Sequence, residues 1–146
     1  MTEKRTPTAV DRIAEEWVDT LCRLDPDFLI WLGRDGDVTE FADYSPNGHA
    51  AYNAAVSSTL AALRSTDVVD DVDRVTKLDL SGDLELALEL SESKWHLRDL
   101  NNIESPAQGI RDVFDLMPTD GVEAWETISA KLGNVSSALA GYRQTL

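Results

Sequence analysis

Residues 97–118, LRDLNNIESPAQGIRDVFDLMP, hold the part of this sequence in which boundary signals, periodicity and composition agree. Ser105 can cap a helix, Pro106 suits its first turn, where no N–H is needed, and Gln108 stands where a capping box wants Glu or Gln. Pro118 stops it. Between these limits Ala107, Ile110, Val113, Phe114 and Met117 fall on one helix face and Arg111, Asp112 and Asp115 on the other. An amphipathic helix with defined ends implies neighbours to pack on, and Asn101 and Asn102 ahead of it are turn formers whose amides can hold the loop through backbone bonds.

The same pattern recurs through the chain. Thr8 can cap a helix over about 9–24 with Val10, Ile13, Trp17, Leu21 and Leu24 on one face. Asp25-Pro26 ends it and starts a short second helix that Gly33 closes. Ser45-Pro46 opens a third, about 46–64, with Tyr52, Val56, Leu60 and Leu63 as its stripe and many alanines for close packing. Residues 84–90, LELALEL, alternate as a half-buried strand would. Leu, Glu and Ala favour helix, however, and a lone strand has no partner, so the expectation is a helix over about 71–95, capped by Asp70 and weakened near Gly82. Its leucines point both ways, Leu80, Leu84 and Leu88 against Leu86 and Leu90, which suits a central helix buried between neighbours. After Pro118, Asp120 with Glu123 predicts a helix with Val122, Trp125, Ile128 and Leu132 inward, closed by Gly133. Asn134 then opens a last helix through Val135, Ala138, Leu139, Tyr142 and Leu146, whose stripe reaches residue 146 as truncation or a docked terminal helix would leave it. The reading is all-α: a layered bundle of six or seven helices in one domain over 1–146, with residues 1–7 frayed.

Thirteen basic and twenty-seven acidic residues give a net charge of −14, which repels phosphate backbones and anionic lipid and argues against nucleic acid as a partner. No run approaches a membrane span, and the N-terminus lacks the apolar core of a secretion signal. Cys22 is alone, so no internal disulfide forms, and a reducing cytoplasm is expected.

Candidate chemistry is sparse. Asp35 and Asp37 sit in a turn without the ligand series or the bidentate Glu of a calcium loop. His49 falls in the first turn of a helix, and His96 at the end of another, where the helix dipole favours an imidazolium. Cys22 reads as a packing residue, and the pairs Asp70, Asp71 and Asp112, Asp115 as caps and solvated charge. No Gly-x-Ser-x-Gly, Gly-x-Gly-x-x-Gly or P-loop occurs, so the expected catalytic, cofactor-binding and metal residues are none.

Arg98-Asp99-Leu100-Asn101, Ser105-Pro106, Val113-Phe114-Asp115-Leu116-Met117-Pro118-Thr119, Trp125 and Lys131-Leu132 together resemble the N-terminal part of bacterial domain-of-unknown-function family 885. The likeness extends more loosely to Asp70-Asp71-Val72-Asp73-Arg74 and to Asp25-Pro26. It implies a longer, largely helical parent similar in fold to zinc carboxypeptidases of the Taq type. The family's metal signature, a His-Glu pair followed by Gly-His-His, lies in its later portion and has no match here, since the only histidines are His49 and His96. The resemblance therefore implies a non-catalytic leading segment that scaffolds or caps a missing catalytic part, with zinc only in the parent and the rest of that chain, or a second copy, as partner. The alternative is a self-contained acidic helical module that binds a basic partner.

Overall fold

A reciprocal capping box starts the first helix: the Asp11 N–H donates to Thr8 Oγ1 at 3.2 Å, and the Thr8 N–H donates to Asp11 Oδ2 at 2.8 Å. In the computed structural model, which describes residues 5–146, helix α1 (Ala9–Leu24) follows this cap. It is succeeded by α2 (Asp27–Leu32), α3 (Pro46–Ser65), α4 (Asp71–Glu92), α5 (Pro106–Asp112) and α6 (Val122–Thr145), with 3-10 turns at Trp95–Arg98 and Val113–Leu116. Among the described residues there is no strand, so the all-α reading holds and residues 84–90 are helical. No helix among them is long and apolar enough to cross a membrane.

The stripes of α1, α3 and α4 meet in one core of Val10, Trp17, Val56, Leu60, Leu63 and Leu84, with Ile13, Leu21, Tyr52, Leu80 and Leu88 packed around it. Polar ties cross the same layer. Asn53 Nδ2 donates to Ser91 Oγ at 2.6 Å, and Lys77 Nζ donates to the Thr66 carbonyl at 2.6 Å, satisfying the C-terminal end of α3 from α4.

Fraying over residues 1–7 is corrected at Arg5, while 1–4 lie outside the described residues. The Arg5 guanidinium donates to Asp70 Oδ2 at 2.6 Å and also pairs with Asp11 and Asp73. Asp73 is buried and accepts from the Thr8 hydroxyl at 2.7 Å and the Val69 N–H at 3.0 Å. Arg5 thus joins the N-terminal ends of α1 and α4. Together with the Asp73 N–H it holds the Asp70 carboxyl down from 3.8 to about 2. A depressed carboxyl contributes stability above its unfolded value that is lost as pH falls through its folded value. Arg5→Gln is therefore expected to flatten the loss of stability between about pH 4 and pH 2, read as denaturation midpoint against pH. An unchanged acid limb would contradict this coupling.

Four boundary expectations are corrected. The 106–117 helix is α-helical only to Asp112 and tightens to a 3-10 turn, because Pro118 forces Met117 into extended backbone (φ −73°, ψ 141°). Its predicted face still points inward through Ile110, Val113 and Met117. The Ser105 hydroxyl bonds the Gln108 side chain rather than a backbone N–H, so the capping box closes side chain to side chain. Helix α4 stops at Glu92, and Lys94 in left-handed backbone (φ 57°) turns the chain into the segment that holds His96, so His96 leaves the helix it was expected to end. Helix α6 runs unbroken through Gly133, and Gly121 at φ 90° starts it without an Asp120 cap. One interior glycine costs a helix only about 1 kcal/mol, and packing on both sides of Gly133 outweighs that.

Two faces differ from expectation. In α6 the inward positions are Ile128, Lys131, Ala138, Tyr142 and Thr145, whereas Val122, Trp125 and Leu132 are exposed. In α4, Leu80, Leu84 and Leu88 pack inward as expected, but Leu86 and Leu90 face outward at 53% and 41% exposure, so the helix is packed on one side only.

Candidate functional site

The loop from Gly33 to Ser45 has no regular structure, so its carbonyls need partners elsewhere. Helix α6 supplies them. Lys131 Nζ donates to the Val38 carbonyl at 2.9 Å and the Glu40 carbonyl at 2.7 Å, Asn134 Nδ2 to Thr39 at 3.1 Å, and Thr145 Oγ1 to Tyr44 at 2.6 Å. Lys131 is wholly buried, lies 4.0 Å from the centre of the Phe41 ring, and gives its remaining N–H to Asp27 Oδ1 at 2.6 Å. An ammonium has three donors, and all three are spent.

Pinned in this way, Ala42–Tyr44 form one wall of an apolar groove of about 520 Å³. Leu21 and Leu24 at the end of α1, Phe28 of α2, and the first turns of α3 form the others. Gly48 is required there: a Cβ at that position would lie 1.7 Å from the Asp43 carbonyl oxygen. Asp25 lines the groove, and its Oδ1 accepts the Asp27 N–H at 3.1 Å, starting α2. Burial pushes both carboxyls up. The charge of Asp27 adds to the shift at Asp25, while Lys131 opposes the shift at Asp27. Burial, with the charges of Asp25 and Asp27, also raises the Tyr44 phenol.

His49 lines the groove from α3, and its ring stacks on His96, with centroids 4.6 Å apart and planes 31° from parallel. Burial, then the neighbouring His96, lowers the His49 imidazole, against the pull of Asp43 and Asp99. On the far side His49 and His96 border a second, smaller cavity with Tyr52, Trp95 and Asp99. Nothing in sequence relates the two histidines, and the fold brings them together across 47 positions because the Lys94 turn folds the chain back on α3.

The other residues weighed from sequence stay apart. Asp70 caps α4 by accepting the Asp73 N–H at 2.9 Å, and Asp71 pairs with Arg74 at 2.8 Å. Asp112 and Asp115 pair with Arg111 on the exposed face of α5 and the turn after it. Asp37 accepts from the backbone and hydroxyl of Thr39 at 2.9 and 2.7 Å, Asp35 is exposed, and Cys22 is buried. Asn101 Oδ1 accepts from Ile103 and Glu104 N–H at 2.8 and 2.7 Å, holding its loop as expected, while Asn102 is exposed. Zinc does not fit these residues: among the described residues no three His, Cys, Asp or Glu side chains are placed to share a metal ion.

Lys131, which pins the loop, and Asp25, which lines the groove, are placed where the helical stripe did not announce them. A signal existed for Lys131, since Ala124, Ile128, Lys131, Val135, Ala138 and Tyr142 follow alternating steps of four and three, with a lysine in the seam.

The architecture is that of an acidic all-α protein whose last helix pins an irregular loop. The chain belongs to the family described as "Bacterial protein of unknown function (DUF885)", whose model matches residues 26–146. No curated protein matches it.

Proposed function

We propose that this chain is a non-catalytic helical segment of a metallopeptidase-like bacterial protein, cytoplasmic and acidic, which scaffolds or caps a catalytic part carried elsewhere. The observation that carries the reading is the outer face of α4. Val72, Val75, Leu78, Leu86 and Leu90 lie within about a third of the helix circumference, and all are at least 41% exposed. Val68 and Val69 extend the patch ahead of the helix at 45% and 75% exposure. Among the described residues nineteen large apolar side chains are exposed, and seven of them gather on this face and the segment ahead of it, as at a surface that another element covers. Family membership supports the reading, because the resembled proteins are longer and helical. The zinc chemistry would then belong wholly to the parent's later portion.

Titration with a neutral apolar dye tests this, a neutral one because a charge of −14 repels anionic probes. The chain is expected to bind the dye strongly. The triple variant Val75→Ser, Leu78→Ser, Leu86→Ser is expected to lose most of that binding at unchanged helical circular dichroism. Equal dye binding by both would place the sticky surface elsewhere and remove the support.

A further inference from the structure

The groove at the junction of α1, α2 and α3 holds a carboxyl, Asp25, to which no Lys or Arg among the described residues bonds. Asp25 and Asp27 are two residues apart and both are drawn out of water, but one cation serves them. That cation, Lys131, spends its donors on Asp27, Val38 and Glu40 and has none left for Asp25. Among the described residues no Lys or Arg pairs with Asp25, and none lines the groove.

We propose that this groove binds a small organic ammonium ion with an apolar tail, the Asp25 carboxylate acting as its counter-charge and the walls of Leu21, Leu24 and Phe28 covering its chain. A volume of about 520 Å³ falls within the range of roughly 300–1,000 Å³ that small-molecule sites occupy. Such sites combine apolar walls with a few convergent polar groups, and here the Tyr44 and Tyr52 hydroxyls and the Asn47 amide line the groove without a side-chain hydrogen bond to any other described residue. An ammonium that sheds water needs a carboxylate, aromatic faces and further hydrogen-bond acceptors to offset the lost hydration, and the groove lining includes all three. A carboxylate or phosphate ligand would meet Asp25 and Asp43 instead. This inference is independent of the metallopeptidase-like reading.

Calorimetric titration with hexylammonium chloride, beside neutral 1-hexanol of the same length, tests it. One saturable site is expected, with hexanol at least about tenfold weaker, a difference of about 1.4 kcal/mol. Asp25→Asn keeps the Oδ1 acceptor that starts α2, so the fold is retained, and hexylammonium is expected to fall to the hexanol level. Ala51→Trp, at an exposed position on the rim, is expected to block both ligands. Lack of saturable binding, equal binding of the two ligands, or binding that persists in Asp25→Asn would each overturn the proposal. Persistence in both variants would place the ligand outside the groove.

Discussion

Replacing Lys131 by methionine is expected to cost about 3–5 kcal/mol of stability, the loss found when one partner of a buried ion pair is removed. Methionine fills the volume and leaves the Asp27 carboxylate buried without its cation, together with the Val38 and Glu40 carbonyls that Lys131 satisfied. The deficit depends on pH. Burial already raises the Asp27 carboxyl above 3.8 and Lys131 opposes it, so the variant's carboxyl rises further. A group with a raised folded pKa binds more protons in the folded state between the two values, so stability falls as pH rises through that window. Urea midpoints should therefore show the largest deficit at neutral pH and a smaller one near pH 4. A deficit independent of pH would mean that packing, not charge, explains the loss. Adding Asp27→Leu to Lys131→Met is expected to recover the charge cost but not the two carbonyls.

Gly48→Ala has the second largest expected effect. Alanine is the better helix former by about 1 kcal/mol, so a free site in α3 would gain from the change. Here the new methyl would sit 1.7 Å from the Asp43 carbonyl oxygen and 2.6 Å from its carbon, both backbone atoms of a loop that α6 holds from the other side. That loop cannot retreat freely, since a Cβ on Gly141 of α6 would already stand 3.3 Å from the Ser45 nitrogen. Overpacking of this kind should outweigh the propensity gain and cost about 3 kcal/mol, lowering Tm by roughly 6–12 °C. Because the displaced residues wall the groove, hexylammonium affinity should fall with it. A variant that melts with the wild type would show that the loop is loosely held.

Much of the fold was legible in sequence because caps and helical stripes are local signals. Thr8, Ser45 and Asp70 start their helices where their side chains predict, and the faces of α1, α3 and α5 point inward as spaced. Gly133 misled because a glycine near a stripe reads as a stop, while the seam that carries α6 past it includes a lysine that apolar counting rejects. Leu86 and Leu90 were expected to be covered because leucine is read as inward, and periodicity tells how many faces a helix has, not how many neighbours. The groove was not legible at all. Lys131 meets Asp27 across 104 positions, and the His49 and His96 stack depends on a left-handed Lys94 that no glycine announces.

The outer face of α4 distinguishes the two accounts of what this chain is for, and molar mass by light scattering across a concentration series reads it most directly. Asp71, Asp79 and Glu89 are exposed in the same sector of α4 as the apolar side chains and Asp83 borders it, so two copies that meet there repel at low salt. The scaffold account predicts an average mass that rises with concentration, rises further as salt screens these acidic side chains, and returns to that of the monomer in the triple serine variant. A mass that stays at 16.1 kDa at every concentration and salt would contradict it and leave an acidic module with a closed surface.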